Sequence, residues 1–487
     1  MNDEAIDLTS DALPGDNLAQ INRLGGLSHE ERADLAFALL SSLPTRYIYD
    51  ISHKITKILH FDFMPILPQE IIVHVFSFLD FKDVLRSMRV SRQWYEMAST
   101  PILWKALYFK QDWKVNDSRV KAFERWAEGA SQAGVHSNIA VTAVPAPFTV
   151  AHIAPSSDSF CIKLHWQYLF KQHLLLDKNW RTGLHDLYDL PTEQDSNGSR
   201  AQGIYCLQFD HQYVVSGSRD KSIRIWDLEN RRCVGQLIGH TGSVLCLQYD
   251  GATSTVISGS SDTNIITWDM ASGTATHCFV GHTEPVLNVR FDAHHVVSCS
   301  KDKTIKVWSR DASKPDSQAC LRTLVGHRAA VNAVQFVGNR IVSASGDRSI
   351  NIWDLDTGDC VRSINGHERG IACIVFDGRF ITSGSSDLSI RVFDSFTGAL
   401  LETLTGHTDL VRTVQTDSRK IVSGSYDQTI KIWNRGGRLD DEKVIDLGRH
   451  SSRIFKLQFD EKRIISCSQD SCIFVWDFSN GVDDTFF

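Results

Sequence analysis

The second half of the chain alternates short apolar runs with turns, and it does so seven times. Ile204-Tyr205-Cys206-Leu207-Gln208-Phe209 is followed by Tyr213-Val214-Val215-Ser216 and then by Ser222-Ile223-Arg224-Ile225-Trp226. Successive side chains of a strand point to opposite faces, so β-branched runs of this length read as partly or fully buried strands. Residues such as Gly217 and Asp220 mark the turns between them. In every unit an Asp precedes an aromatic by six residues. The aspartates are Asp220, Asp262, Asp302, Asp347, Asp387, Asp427 and Asp470, and the aromatics Trp226, Trp268, Trp308, Trp353, Phe393, Trp433 and Trp476. Consecutive aromatics lie 40 to 45 residues apart. Four short strands at that period predict a β-propeller with seven blades. Only eleven residues follow Trp476, so the last blade is expected to take its outer strand from ahead of the first repeat, over 184–190.

The first half shows the 3.6-residue period instead. Ser28-His29-Glu30-Glu31 is a capping box opening a helix with Leu35, Ala36, Leu39 and Leu40 on one face. Ile48, Ile51, Ile55 and Ile58 form a second periodic set. These apolar faces need cover, either from the rest of the chain or from a second copy. Over 61–110 the chain reads Phe61-Asp62-Phe63, Leu67-Pro68-Gln69-Glu70-Ile71-Ile72, Val75 through Asp80, then Val90-Ser91-Arg92-Gln93-Trp94 and Leu103-Trp104. Pro68 suits the first turn of a helix, and positions 71, 72, 75, 76 and 79 share one side of it. Helical patterning returns at Leu164–Phe170 and ends near Trp180.

The fold class is therefore multidomain: an all-α N-terminal region followed by an all-β seven-bladed propeller. The expected segments are a disordered tail (1–26), a helical, candidate homodimerisation segment (27–60) and a helical domain (61–110). A helical linker (111–190) with a flexible insertion near 127–160 follows, then the propeller (191–480), opening on a turn-rich connector (191–200), and a tail (481–487).

Charge and cysteine usage narrow the function. The net charge of -7 argues against nucleic-acid binding, which needs clustered Lys and Arg. The 11 Cys lack paired zinc spacing, and Cys206, Cys246, Cys299, Cys373 and Cys467 recur beside apolar runs as small core residues. No metal or cofactor is expected. The N-terminus has no signal-peptide pattern, and no run of ~18 apolar residues reads as a membrane span. An intracellular protein of the cytoplasm and/or nucleus is expected.

Each repeat also carries a Ser (216, 258, 298, 343, 383, 423 and 466), and six carry a His (240, 282, 327, 367, 407 and 450). Ser, His and Asp together invite a hydrolase reading. A catalytic constellation occurs once, in a pocket, whereas this one recurs blade after blade. It reads as a hydrogen-bonded lock within each blade, and the chain reads as a non-catalytic binding protein.

Function in a repeat protein shows where the repeats disagree. Four equivalent positions per blade are expected at one mouth of the central channel: two, three and five residues after the His, and immediately before the Asp. These positions hold Arg219, Lys301, Arg369, Arg412 and Arg453 against only two acids, Glu284 and Asp409. Arg369, Arg412, Arg453 and Arg219 fall in blades five, six, seven and one, which ring closure makes neighbours. Guanidinium forks suit phosphate and carboxylate. Tyr205, Tyr426, Ser243, Ser261 and Ser386 offer hydroxyls nearby, and Leu287 and Leu410 an apolar contact. A phosphoserine carries ~1.5–2 negative charges, so two match four arginines.

Leu-Pro-x-Glu, the apolar helix ending at Leu79-Asp80, and Val90-Ser91-x-x-Trp94 together resemble the F-box. Gly239–Tyr249, Val325–Asn332 and Asn365–Cys373 look like the beta-transducin-repeat-containing F-box (beta-TrCP) family of F-box/WD-repeat proteins. The resemblance covers about 160–480 strongly and 27–110 in pattern. It implies a substrate receptor of an SCF-type, cullin-based ubiquitin ligase, with an adaptor docked through Leu67, Pro68, Ile71, Leu79 and Leu85. It also implies recognition of Asp-Ser-Gly-x-x-Ser phosphorylated on both serines. Carried over, Tyr205, Arg219, Ser243 and Ser261 would hold the first phosphoserine, Arg412 and Tyr426 the Asp, and Arg369, Gly370 and Ser386 the second phosphoserine. Leu287, Asn332, Leu410 and Arg453 would line the rest. Phe393 in place of the blade Trp, and the 127–160 insertion, depart from the family. A WD-repeat scaffold without ubiquitin transfer, and an F-box receptor for another degron class, are the alternatives.

Overall fold

The computed structural model describes residues 28–59, 66–132, 153–155, 162–190, 203–310, 319–435, 444–448 and 450–486. The expected N-terminal tail, Phe61–Phe63, most of the 127–160 insertion and the 191–200 connector lie outside the described residues. The chain divides into two compact units, Met1–Asp112 and Trp113–Phe487.

In the first unit the capping box forms as its spacing requires. The Ser28 hydroxyl accepts the Glu31 N–H at 3.2 Å and the Glu31 carboxylate accepts the Ser28 N–H at 2.8 Å, opening helix α1 (His29–Ser41). Leu35, Phe37 and Leu39 of α1 stay exposed, as do Tyr47 and Tyr49 of α2 (Thr45–Leu59). Helix α3 (Gln69–Phe78) starts after Pro68, and Asp80 and Ser91 cap α4 (Phe81–Ser87) and α5 (Arg92–Ala98) through their side chains. Helix α6 (Pro101–Lys110) carries Pro at its first position. Ile72, Phe76, Val84, Ala98, Leu103, Trp104, Leu107 and Tyr108 are the buried apolar residues of these helices. The buried Trp104 indole donates to the Ala98 carbonyl at 2.8 Å.

The apolar side of α3 divides between core and solvent. Of positions 71, 72, 75, 76 and 79, only Ile72 and Phe76 are buried, while Ile71 and Val75 are exposed together with Phe78 and Leu85. A ten-residue helix that is apolar around most of its circumference can turn only one stripe inward, and the i, i+4 pair 72/76 takes that place.

The second unit begins with α7 (Asp117–Gln132), which includes residues 127–132, expected as the start of a flexible insertion. Within the same segment Ile153–Pro155 (β1) pairs antiparallel with Ile162–Leu164 (β2). Helix α8 (Trp166–Thr182) ends at Gly183, whose φ of +72° is the left-handed C-cap that glycine accepts without penalty. Strand β3 (Asp186–Leu190) then pairs antiparallel with Ile473–Asp477 and becomes the outer strand of the seventh sheet. The sequence-expected closure thus forms, and residues 186–190 belong to the propeller, not to the linker.

Seven four-stranded antiparallel sheets make the ring. Their inner strands are Ile204–Phe209, Val244–Asp250, Val286–Phe291, Val331–Val337, Ile371–Phe376, Val411–Thr416 and Ile454–Phe459, each against the next and the last against the first. Apolar side chains fill the wedges between blades: Val215, Ile223 and Ile225 of the first pack with Val244, Leu247 and Val256 of the second. Burial on both sheet faces explains why these strands read as nearly continuous apolar runs.

The residue after each repeat Asp is never Gly, yet it has φ near +70°: Lys221, Thr263, Lys303, Arg348, Leu388, Gln428 and Ser471. The Asp side chain stabilises that turn by accepting the N–H two residues on, as Asp220 does from Ser222 at 3.0 Å and Asp387 from Ser389 at 3.1 Å.

Residues 481–486 do not form a free tail. Phe486 is fully buried, its carbonyl accepts the Asn116 N–H at 2.8 Å, and its ring meets Phe123 of α7 edge-on. Phe486 is large and apolar, and this packing removes it from water.

Candidate functional site

In five of the seven repeats the Ser, His, Asp and Trp form a closed relay inside the blade; the first lacks the His and the fifth the Trp. In the second blade Nδ1 of His240 lies 2.9 Å from the Asp262 carboxylate, and Nε2 lies 2.8 Å from the Ser258 hydroxyl, which also accepts the Trp268 indole N–H at 2.8 Å. A carboxylate can only accept, so Nδ1 carries the proton and Nε2 accepts from the serine. Burial pushes the pKa of His240, His282, His327 and His367 below the ordinary value, against the pull of their aspartates, which keeps the imidazoles neutral. Burial raises the Asp387 pKa, but hydrogen bonds from Ser389, His367 and the Glu368 N–H outweigh it and hold that pKa at about 2. Equivalent relays recur at His282, His327, His407 and His450. Each hydroxyl is engaged and buried, which suits a lock and not a nucleophile. In the fifth blade Phe393 supplies no N–H, and Ser383 keeps only His367 at 2.8 Å and the Arg391 carbonyl at 3.3 Å. The five cysteines assigned to the core are buried, and burial pushes the Cys246 thiol up to about 12 and Cys373 to about 11.

One backbone rung per blade brings the variable positions together. The residue before the Asp donates its N–H to the carbonyl of the residue three after the His. These rungs are Ser261 to Ser243 (2.9 Å), Lys301 to Pro285 (3.0 Å), Gly346 to Ala330 (3.0 Å), Ser386 to Gly370 (3.0 Å), Tyr426 to Leu410 (3.0 Å) and Gln469 to Arg453 (3.0 Å). Arg219 donates to Gly203 at 3.1 Å in the first blade. Because the ring repeats the rung seven times in the same sense, these positions share one mouth of the channel. Arg369 precedes a rung residue, while Arg412 lies two residues past one and lines the channel with Tyr205, Leu287 and Phe455. Asn332 occupies the corresponding inner-strand position of the fourth blade and donates to the Ile371 carbonyl at 2.7 Å.

The charge at this mouth is one-sided. Lys301 is opposed by Glu284 at 3.7 Å. Among the described residues no carboxylate pairs with Arg219, Arg369, Arg412 or Arg453, which occupy four consecutive blades. Arg219, Arg369 and Arg453 are exposed, and Arg412 is half-buried. The Arg453 guanidinium lies 5.0 Å from the Tyr426 ring centre, a cation–π contact. Phe455, which sequence reasoning aligned but did not assign to the site, lies between two assigned residues: 5.0 Å from Tyr205 and 5.9 Å from Tyr426. Its signal was an aromatic at the position that holds Tyr205 in the adjacent first blade and Leu, Asn, Ala or Arg in the others. Chemically, the mouth offers unpaired guanidinium forks, phenol and serine hydroxyls, and an apolar patch at Leu287 and Leu410.

On the first unit, the residues named for adaptor docking divide by exposure. Pro68, Ile71 and Leu85 are exposed, and Leu67 and Leu79 are partly buried. Val75, Phe78, Val90 and Ile102 are also exposed, and helical spacing alone does not say which apolar stripe the fold covers.

Residues 64–110 match the F-box-like family. Residues 194–227, 231–269, 273–309, 318–354, 358–394, 398–434 and 442–477 match the WD domain, G-beta repeat. Similar proteins include "F-box and WD repeat domain-containing 11-A" of Danio rerio, 38% identical over 197 residues that make up 40% of this chain and 31% of that protein. "F-box/WD repeat-containing protein 7" of Drosophila melanogaster is 30% identical over 47% of this chain and 14% of its own length. "Probable E3 ubiquitin ligase complex SCF subunit sconB" of Talaromyces stipitatus is 28% identical over 37% of this chain and 31% of its own. The chain thus spans a third or less of each of these relatives. Seven matched WD repeats cover more than half of the chain behind an F-box-like segment, and the chain belongs to the F-box/WD-repeat family.

Proposed function

We propose that the chain is the non-catalytic substrate-recognition subunit of an SCF-type ubiquitin ligase. The F-box-like helices dock the adaptor and, through it, the cullin. The mouth of the propeller binds targets carrying a doubly phosphorylated Asp-Ser-Gly-x-x-Ser-like segment. Carrying both surfaces on one chain raises the effective concentration of target lysines near a ubiquitin-transferring partner. The observation that carries the reading is the set of four arginines without acidic partners on four consecutive blades.

Charge-assisted hydrogen bonds from guanidinium to phosphate are stronger than neutral ones, and a planar fork can bind two oxygens. Arg219 with Tyr205, Ser243 and Ser261 is assigned to one phosphate, and Arg369 with Gly370 and Ser386 to the other. Arg412 and Tyr426 are assigned to the acidic residue between them. Leu287, Asn332, Leu410 and Arg453 complete the lining. The exposed stripe of Ile71, Val75, Phe78 and Leu85 is assigned to the adaptor. The uncovered apolar positions of α1 and α2 are assigned to a homodimer contact, and the protein to the cytoplasm and/or nucleus.

Calorimetry with a peptide in its doubly, singly and unphosphorylated forms tests the mouth. Tight binding of the doubly phosphorylated form alone supports the reading, and equal affinity for all three refutes it. Recovery of an adaptor and a cullin with the native chain, and their loss on Val75→Asp, tests the F-box surface. A native chain that recovers neither points to a scaffold.

A further inference from the structure

Below the mouth, the channel carries a second positive site. The position eight residues after the repeat His is Gln in five blades, Arg290 in the third and Val375 in the fifth, and four of the Gln clasp the next blade. Gln208 accepts the Tyr249 N–H at 2.8 Å, Gln248 the Phe291 N–H at 2.8 Å, Gln415 the Phe459 N–H at 3.2 Å, and Gln458 the Phe209 N–H at 2.8 Å. The third blade has Arg290 there, which cannot accept an N–H. Its one hydrogen bond among the described residues is to the Val289 carbonyl at 3.4 Å. A second departure lies across the channel. The position six after the His is Cys206, Cys246, Asn288, Ala333, Cys373 and Thr413 in six blades, but Lys456 in the seventh.

Arg290 and Lys456 line the same cavity of about 210 Å³, together with Gln335. Both also border the adjoining space reached by Arg412. No ion pair joins either group to a carboxylate among the described residues, and the charged neighbours acting on Lys456 are Arg290 and Arg412. Burial, with those two like charges, pushes the Lys456 pKa down to about 8, and burial lowers that of Arg290. Both side chains are only partly exposed, facing the channel, and like charges gathered in a confined space without a counter-charge destabilise a fold unless something offsets them. Placing two cations at the Gln position and the small-residue position gives up the clasp that the first, second, sixth and seventh blades form.

We propose that Arg290 and Lys456 form a site inside the propeller channel for a small multivalent oxyanion of the phosphate class, separate from the peptide site at the mouth. The ion supplies the counter-charge that the chain lacks and ties the third blade to the seventh across the ring.

Thermal unfolding of the full chain in pyrophosphate, against sodium chloride of equal ionic strength, tests this. The expected result is a rise in Tm of at least 3 °C and a dissociation constant that weakens at least tenfold in both Arg290→Gln and Lys456→Thr. Each replacement places a residue type that other blades carry at that position. Arg219→Ala, at the mouth, should retain the effect. A wild-type response no larger than with chloride overturns the proposal. So does a response that survives both channel variants or disappears in Arg219→Ala. If the variants do not fold, the wild-type chain with its mouth saturated by the doubly phosphorylated peptide still decides: a ³¹P line of stoichiometric pyrophosphate that stays broadened supports the site, and a sharp free-ion line overturns it. Phosphopeptide affinity measured in Arg290→Gln keeps this result distinct from the peptide site.

Discussion

The Arg412 guanidinium donates a hydrogen bond at 3.1 Å to the carbonyl oxygen of Ala372, one blade away. The contact holds a long side chain at the inner edge of the mouth and leaves its other N–H groups free for a ligand. Arg412→Ala is expected to weaken binding of the doubly phosphorylated peptide at least a hundredfold, with little change in Tm. Arg412→Lys should restore only a fraction, because an ammonium is a point charge and not a fork. Calorimetry on both variants checks this, and unchanged affinity in the Ala variant would remove the assigned pocket.

Phe455 joins Tyr205 to Tyr426 through ring contacts at 5.0 and 5.9 Å. Its loss should let both phenols move and so cost affinity without removing any ligand-binding group. Phe455→Ala is expected to raise the dissociation constant of the peptide about tenfold, in keeping with aromatic pairs worth about 0.5–1.5 kcal/mol. Phe455→Leu should behave similarly in the same titration.

Ser298 accepts the Trp308 indole N–H and bonds His282, each at 2.8 Å, whereas Ser383 has no indole partner because Phe393 stands opposite. Ser298→Ala leaves two buried polar groups unpaired and should cost about 2–4 kcal/mol. Ser383→Ala should cost about 1–2 kcal/mol less, the difference being one orphaned indole. Urea unfolding of the two variants measures the gap, and equal losses would mean that the relay acts mainly through packing.

Acid should destabilise the propeller in two stages. The pKa of His173 is lowered to about 3 by burial and by Arg419 and Lys420, so its folded value lies below its unfolded one. Stability from such a group is complete above about pH 6.5 and is lost as pH falls towards 3, because the unfolded chain takes up the proton first. Asp347, Asp387 and Asp470 sit at about 2, so their contribution is complete above about pH 4 and disappears towards pH 2. The slope of unfolding free energy against pH should therefore turn positive below about 6.5 and steepen below about 4. His173→Gln should reduce the slope of the first stage to the share carried by His240, His282, His327 and His367, whose pKa burial also lowers, and leave the second stage, as followed by circular dichroism during denaturation.

Phe486 is fully buried against Phe123, and Arg119 donates to the Thr485 carbonyl at 2.7 Å. Phe486→Ala should cost about 3–5 kcal/mol, as expected for an emptied aromatic site. Limited proteolysis should then cut within α7, and persistence of that helix uncut would show that the C-terminal segment does not secure it.

The ring and its number of blades were legible in the sequence because each blade repeats one local solution. The Asp-to-Trp spacing, the turn residues and the apolar runs all recur with it. The borrowed strand, expected over 184–190 and formed over 186–190, followed from counting, since too few residues follow Trp476 here for a complete final blade. The identity of the four arginines was equally visible, because comparison of repeats subtracts everything the fold requires.

Tertiary structure decided what periodicity cannot carry. In α3, spacing placed 71, 72, 75, 76 and 79 together, but only packing against α4 to α6 determined that Ile72 and Phe76 turn inward and Ile71 and Val75 outward. The burial of Phe486 joins residues more than 360 positions apart in the chain, and no local pattern encodes such a contact. Likewise Lys301 reads as one more base in the sequence, until Glu284 is found 3.7 Å from it. A sequence records which residues are present and at what interval, whereas net charge at a surface depends on which side chains face each other once the strands have paired, and only the folded blade sets that.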